Sequence, residues 1–401
     1  MAAQNKPILS TEVVKFMSRS MPRMLLGLTL LFTLLLTSCA SAQPTKGDVT
    51  VYVAVPLSGW QADGGQTVVG GARLAAEELN KRGGLLGYRV NVVPIDDEAD
   101  SDVAVQVANQ IADAVRRGDR VLGVIGHYNS GQAAAALEIY KDLPLIVITP
   151  TASDPALTAE GYQNFFRVNA TDASQGPYDA AFLVNDLKAQ RIVVVYAQNE
   201  YGEGLRAQMV ASLESLGRPP VDVIGIEEAA PTHAAVIPRI QEANPDAIFL
   251  AGYETEGYVL LPELREAGIE ATFMASDGCF LFEFIDGSGK WAEGAYVSGI
   301  TPDSQVVADE QWWRAYQELE SRNPGTYSAA GYSALTVLAE GVKQADSLEA
   351  NAVAQALRQV ETNALVGPIS YDEKGDLEQQ TIYVFQVREG EFVQVKPAPG
   401  E

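Results

Sequence analysis

Two cysteines and two histidines are all that 401 residues offer to thiol, imidazole or zinc chemistry. Cys39, Cys279, His127 and His233 lie far apart, so no metal-ligand spacing or Cys–His pair can be assembled. A mechanism that needs histidine as a base would have to use one of those two. Basic residues are also scarce: 28 Lys and Arg stand against 52 Asp and Glu, a net charge of −24. That balance repels nucleic acid and anionic lipid surfaces and argues against both as partners. The acidic residues are spread along the chain, which reads as a solvated surface rather than a site for a cationic ligand. Long apolar runs are missing too. The run from Met24 to Leu36 has roughly 13 residues, against the ~20 that a membrane-spanning helix needs.

That short run follows Lys15, Arg19 and Arg23 and ends in Leu36-Thr37-Ser38-Cys39. A positive segment, a short apolar segment and small residues before a cut form a secretory signal. Cysteine directly after the cut is the lipoprotein variant, with a diacylglyceryl group on the thiol. The expectation is that residues 1–38 are removed, that Cys39 carries lipid, and that 39–47 is a polar tether. The mature chain would then sit on the periplasmic or cell-surface side of the cytoplasmic membrane, held by its anchor. With Cys39 acylated, Cys279 has no partner, which excludes an internal disulfide even where one could persist.

From Val49 onward, apolar runs alternate with helical patterns. Residues 49–55, 90–95, 121–125 and 145–149 read as buried strands rich in Val and Ile. Between the first two, Val68, Ala72, Ala75 and Leu79 mark one face of a helix closed by Gly83-Gly84. Helices over 102–117 and 131–140 follow. The rhythm restarts near Gln175, with strands at 191–196, 221–226, 246–251 and 271–275. Helices are expected between them at 178–188, 203–216, 232–243 and 256–267. A strand at 295–300 precedes helices near 308–322, 330–345 and 348–361, and 381–387 and 392–395 are the last strands. Strands separated by helices of 10–15 residues make βαβ units. Two such series predict an α/β protein of two doubly wound parallel-sheet lobes. In open sheets of this kind, ligands sit beyond the carboxyl ends of the strands.

The segments at those ends carry the candidate chemistry. After 121–125 comes Gly126-His127-Tyr128-Asn129-Ser130-Gly131, with Ser130 placed to cap the next helix. Free N–H groups and a positive dipole end make such a corner suited to a carboxylate or phosphate. The following strand ends in Thr149-Pro150-Thr151-Ala152-Ser153, a second hydroxyl-rich entry. Neither corner brings a Lys or Arg. In the second series the strand ends carry Tyr201, Tyr253 and Asp277. A carboxylate in an apolar crevice is costly unless it meets a cation, so hydroxyls on one side and Asp277 on the other would suit a zwitterion. The acidic run Asp96–Asp102 lacks the glycine and glutamate of a calcium loop. Ser130 sits in Tyr-Asn-Ser-Gly-Gln rather than a nucleophile elbow. No catalytic residue, metal or cofactor is expected, and His127 is assigned structural hydrogen bonds beneath the corner.

Several strings resemble the branched-chain amino acid binding proteins of ABC importers. They are Ile125-Gly126-His127, Ile148–Ser153, Leu157–Gln163, Ser174-Gln175-Gly176-Pro177, Gln190-Arg191-Ile192, Glu200–Gly204, Val366-Gly367-Pro368 and Tyr371–Leu377, in order across nearly the whole mature chain. The resemblance implies a type I periplasmic-binding fold with two lobes joined by three crossovers, 48–172 plus 301–374 and 173–300 plus 375–398. It implies carboxylate ligands at Ser130 and Ser153, and ammonium ligands at Asp277 and the Thr151 carbonyl. It also implies an aromatic wall of Tyr201, Tyr253 and Tyr327. Tyr128 and Ala152 belong to the same corners, and Asp172 falls on another ligand-site position. The implied partners are a neutral, branched-chain or similar amino acid and ABC permease subunits, with the protein itself a monomer.

Departures from the pattern are informative. The family's first-loop pocket aromatic corresponds to Gly64, so the pocket is expected to be larger or rebuilt around Trp60. Aspartate stands at 277 where glutamate is usual, one methylene shorter. The positions of a family disulfide are Ala99 and Asn129. A sensor or binding protein of the same fold for an amide, urea or aromatic acid is the alternative, and such a ligand would leave Asp277 without a cation.

Overall fold

The computed structural model describes residues 43–397. Residues 1–38, expected to be a lipoprotein signal, and Cys39, expected to carry the lipid, lie outside the described residues. Among those that are described, no helix is long and apolar enough to cross a membrane.

Val- and Ile-rich segments pair into two sheets. The first has the order β2 (Arg89–Asp96), β1 (Asp48–Val55), β3 (Val121–Gly126), β4 (Ile146–Thr149) and β5 (Phe165–Arg167), all parallel. The second repeats that order with β7 (Asp222–Ile226), β6 (Ile192–Ala197), β8 (Ala247–Ala251), β9 (Thr272–Ala275) and β10 (Tyr296–Gly299). It continues into antiparallel β13 (Tyr383–Arg388) and β14 (Glu391–Lys396). A small hairpin, β11 (Thr362–Ala364) with β12 (Gly367–Ile369), stands apart.

Each sheet is covered on both faces, as the near-continuous apolar strands require. Helices α1 (Ala62–Lys81), α12 (Ser328–Ala345) and α13 (Ala350–Leu357) pack on Val49, Val51, Val53 and Ile148. On the opposite face α2 (Ser101–Arg116) and α3 (Ser130–Tyr140) pack on Val124 and Val147. The second sheet lies between α5 (Asp172–Ala181) with α6 (Glu200–Ser215) and a layer of α7 (Ile237–Ala243), α8 (Glu254–Glu266) and α9 (Phe282–Ser288). Short helices α4 (Ala156–Ala159) and α10 (Ser304–Val307), and the longer α11 (Glu310–Glu320), complete the set. Each Val, Leu or Ile buried in these layers contributes roughly 1.5–3 kcal/mol relative to exposure.

The face marked by Val68, Ala72, Ala75 and Leu79 is the buried face of α1. Its Gly71 would be a weak helix residue in isolation, yet a Cβ there would lie 1.9 Å from the Ser328 carbonyl oxygen. Close approach of α12 demands that glycine. The chain passes to the second sheet between Arg167 and Ile192, returns after Gly299 to lay α12 on α1, and crosses again before Tyr383.

Some elements differ from the sequence reading. The helix expected at 178–188 starts at Asp172, with Pro177 inside it, and widens to a π turn over Phe182–Asp186. The one expected at 348–361 is shorter, because Thr362 already enters β11. Strand β5 was not anticipated. Phe165 and Phe166 bury on opposite faces and Arg167 reads as a surface residue, so its three positions show no periodicity.

Candidate functional site

The carboxyl ends of β3 and β4 form one wall of a cavity. The turn after β3 makes Asn129 the residue before the helix and Ser130 the first residue of α3. Ser130 therefore does not cap its own helix. Its Oγ accepts from the backbone N–H of Ser153 at 3.3 Å and of Asp154 at 3.2 Å. With two acceptor positions filled, the Ser130 proton is free to donate elsewhere. The two corners are knitted together by hydroxyls. Thr149 Oγ1 donates to the His127 carbonyl at 2.9 Å, and Thr151 Oγ1 to the Tyr128 carbonyl at 2.6 Å. Beneath them, His127 Nδ1 lies 2.6 Å from Asp97 and its Nε2 3.2 Å from the Tyr140 hydroxyl, all buried. This is the structural role expected of His127.

The opposite wall comes from the ends of β6, β8 and β9. Tyr201 lies in the first turn of α6 and stacks on Tyr253 with ring centroids 5.0 Å apart. The Tyr201 hydroxyl donates to an Asp277 carboxylate oxygen. From the start of α12, Tyr327 reaches across and donates to the Asp277 carbonyl at 3.0 Å. Tyr327 meets Tyr128 edge to face at 5.4 Å. Burial raises the pKa of all four pocket phenols well above the usual value, so they remain donors.

Between the walls lies a small cavity of about 20 Å³, lined by Tyr128, Asn129, Ser130, Thr151, Ala152, Ser153, Tyr201, Tyr253, Asp277, Gly278 and Tyr327. It brings together nine of the eleven predicted ligand-site residues and adds Asn129 and Gly278. Trp60 and Asp172 lie outside the lining. Trp60 packs behind Tyr253, centroids 5.5 Å apart. The expectation of a pocket enlarged at Gly64 is corrected: a Cβ on Gly64 would meet the Tyr128 hydroxyl at 2.5 Å, so Tyr128 occupies the space.

Charge in this region is lopsided. No Lys or Arg lines the cavity. Burial pushes the Asp277 carboxyl up to about 6, opposed by the Tyr201 and Gln175 hydrogen bonds. Asp172 is fully buried with neither oxygen in a hydrogen bond of good geometry, and burial raises it to about 8 against the pull of the Ser153 hydroxyl. Gln175, which no local sequence signal marks as a site residue, also donates to Ser298 Oγ at 2.9 Å, which in turn donates to Asp179 at 2.7 Å. The site has the donors for an anion on one wall and an acidic acceptor for a cation on the other. It has no nucleophile–base pair. Among the described residues no cluster of His, Cys, Asp and Glu could hold a metal.

A family model described as periplasmic binding protein matches residues 48–391. The chain belongs to this family. A periplasmic binding protein similar to it is the Leu/Ile/Val-binding protein of Escherichia coli strain K12, 31% identical over 338 residues, covering 84% of this chain and 90% of that one. Another is the leucine-, isoleucine-, valine-, threonine- and alanine-binding protein of Pseudomonas aeruginosa, 29% identical over 347 residues, with 86% and 92% covered. Among solved structures, the leucine binding protein LivK of Thermotoga maritima superposes with a TM-score of 0.78 at 25% identity, covering 86% of this chain and 97% of that one. The resemblance read from the loop strings and the likeness of the whole chain agree. The chain is a type I periplasmic binding protein and not an enzyme.

Proposed function

We propose that this protein is a lipid-anchored solute-binding protein that captures a neutral, branched-chain amino acid and delivers it to an ABC permease. One observation carries the reading. A single cavity has the Ser130 and Ser153 hydroxyl corner on one wall and the Asp277 carboxyl on the other. In this reading Ser130 and Ser153, with the adjacent N–H groups, hold the α-carboxylate. Asp277 and the Thr151 carbonyl hold the α-ammonium, which settles a carboxylate that burial otherwise penalises. Tyr128, Ala152, Tyr201, Tyr253 and Tyr327 bound the side chain, with Trp60 bracing Tyr253 and Asp172, held mostly protonated by burial, a further ligand-site residue against the Ser153 hydroxyl.

The lobes are 48–172 plus 301–374 and 173–300 plus 375–398. They close as a hinge, because contacts from both walls act on one ligand only when the lobes are together. The monomer is tethered through Cys39. A micromolar dissociation constant corresponds to about −8.2 kcal/mol. Over leucine's roughly nine heavy atoms that is near −0.9 kcal/mol each, within the ceiling of about −1.5 for very small ligands. Titration calorimetry of the mature protein against the twenty common amino acids should give heat with leucine, isoleucine or valine. Silence across the panel would refute the proposal.

A further inference from the structure

The carboxylate corner lacks a cationic side chain, yet a guanidinium lies directly behind it. Arg167 ends β5, is 0% exposed, and points its fork at the turn that carries Ser153. Its Nη1 donates to the Ala152 carbonyl at 2.7 Å and its Nη2 to the Asp154 carbonyl at 2.6 Å. Nε donates to Asp376 at 2.6 Å, and Thr158 Oγ1 closes the ring by donating to the other Asp376 oxygen at 2.9 Å. The Ala152 carbonyl also accepts from Asn169 Nδ2 at 3.2 Å.

The Ala152 carbonyl and the Ser153 N–H belong to one peptide unit. A charged donor on the oxygen draws electron density through that unit and makes the N–H a stronger donor. The Ser153 N–H points at Ser130 Oγ, whose own proton is left for the cavity. A continuous chain therefore runs from guanidinium to peptide, to hydroxyl, to pocket. Arginine keeps its charge in proteins. Asp376 is its one ion-pair partner, on the far side from the cavity, with the carboxyls of Asp172 and Asp154 also acting on it at longer range.

We infer that Arg167 is a positioning residue for ligand capture, relaying positive charge through the Ala152–Ser153 peptide and the Ser130 hydroxyl to the ligand's carboxylate. The inference rests on the functional reading above and deepens it. It explains how an anion is held in a cavity with no basic lining residue, and it predicts opposite effects for the two members of the buried ion pair. Removing the guanidinium weakens the grip on a carboxylate. Removing its counter-charge strengthens it.

The experiment compares L-leucine with L-leucinamide, which keeps the ammonium and side chain but has no carboxylate, by calorimetry at pH 7. The full-length mature protein is measured beside Arg167→Gln, Arg167→Lys and Asp376→Asn. Arg167→Gln is expected to weaken leucine at least tenfold and leucinamide by much less, while Arg167→Lys restores part of the preference. Asp376→Asn, in which the amide oxygen can still accept from Arg167, is expected to raise the preference for leucine over leucinamide severalfold. Equal losses for both ligands in Arg167→Gln, or a preference that stays or falls in Asp376→Asn, overturn the relay and leave Arg167 a structural brace. If Arg167→Gln does not fold, Asp376→Asn decides alone by the same criterion. A wild-type protein that binds leucine without preferring it to leucinamide overturns the relay only. One that binds neither overturns the functional reading and, with it, the ligand role of Arg167.

Discussion

The two walls of the cavity treat buried polarity in opposite ways. On the first-sheet side, Thr149, Thr151, Ser130 and the Arg167 guanidinium are each held by partners within about 3.3 Å. On the second-sheet side, Glu254 is buried with neither carboxylate oxygen in a hydrogen bond of good geometry, and Asp179 has one such oxygen. The hydroxyls of the first wall form a connected network, which stiffens it. The second carries unrecovered desolvation in acids that lie behind the cavity lining, while Asp277, which does line it, already accepts from Tyr201.

The sharpest way to break this contrast is Asp277→Asn. It keeps the shape but removes the charge, and amino acid affinity should fall by roughly 100-fold, the scale of losing one partner of a buried charge pair. Unchanged affinity would mean that the ligand has no ammonium, which returns the amide, urea or aromatic-acid alternative. Ser130→Ala attacks the satisfied wall. Two N–H groups lose their acceptor there, so stability should drop by about 1–3 kcal/mol in urea titration, together with a roughly tenfold loss of affinity. A phenotype in affinity alone would show that the first wall is less tightly knit than its hydrogen bonds imply.

The smallest effect is thermal. Asp172 and Asp277 bind protons more tightly folded than unfolded, near 8 and 6 against an ordinary 3.8. Over that window the folded state holds the extra protons, so these two groups make ligand-free stability decline as pH rises. Asp172→Asn should raise the melting temperature by a few degrees at pH 8 and leave it nearly unchanged at pH 4. An equal shift at both values would show that Asp172 already ionises at the lower one.

Strands dense in Val and Ile were legible because burial on both faces leaves a compositional mark, and the pocket residues at their ends followed from topology. What escaped the sequence were features set by distant partners. Ser130 looks like a cap, and only the Ser153 turn, brought up by β4, makes its oxygen an acceptor. Gly64 looks like a missing wall until Tyr128 is seen above it. The lone charge in Phe165-Phe166-Arg167-Val168 was the one local hint of β5 and of what lies behind the corner, and it fits no helical or strand period.

The return of the chain to the first sheet sets the order in which the protein can be completed. Residues 192–299 supply five consecutive strands of the second sheet and the helices between them. The core begun by β1 and α1 stays open until Ala330, Leu338 and Val353 emerge, more than 250 residues later in synthesis. Contacts so far apart in sequence close slowly. The first core is therefore completed by the last third of the chain, after the whole parallel part of the second sheet has been made.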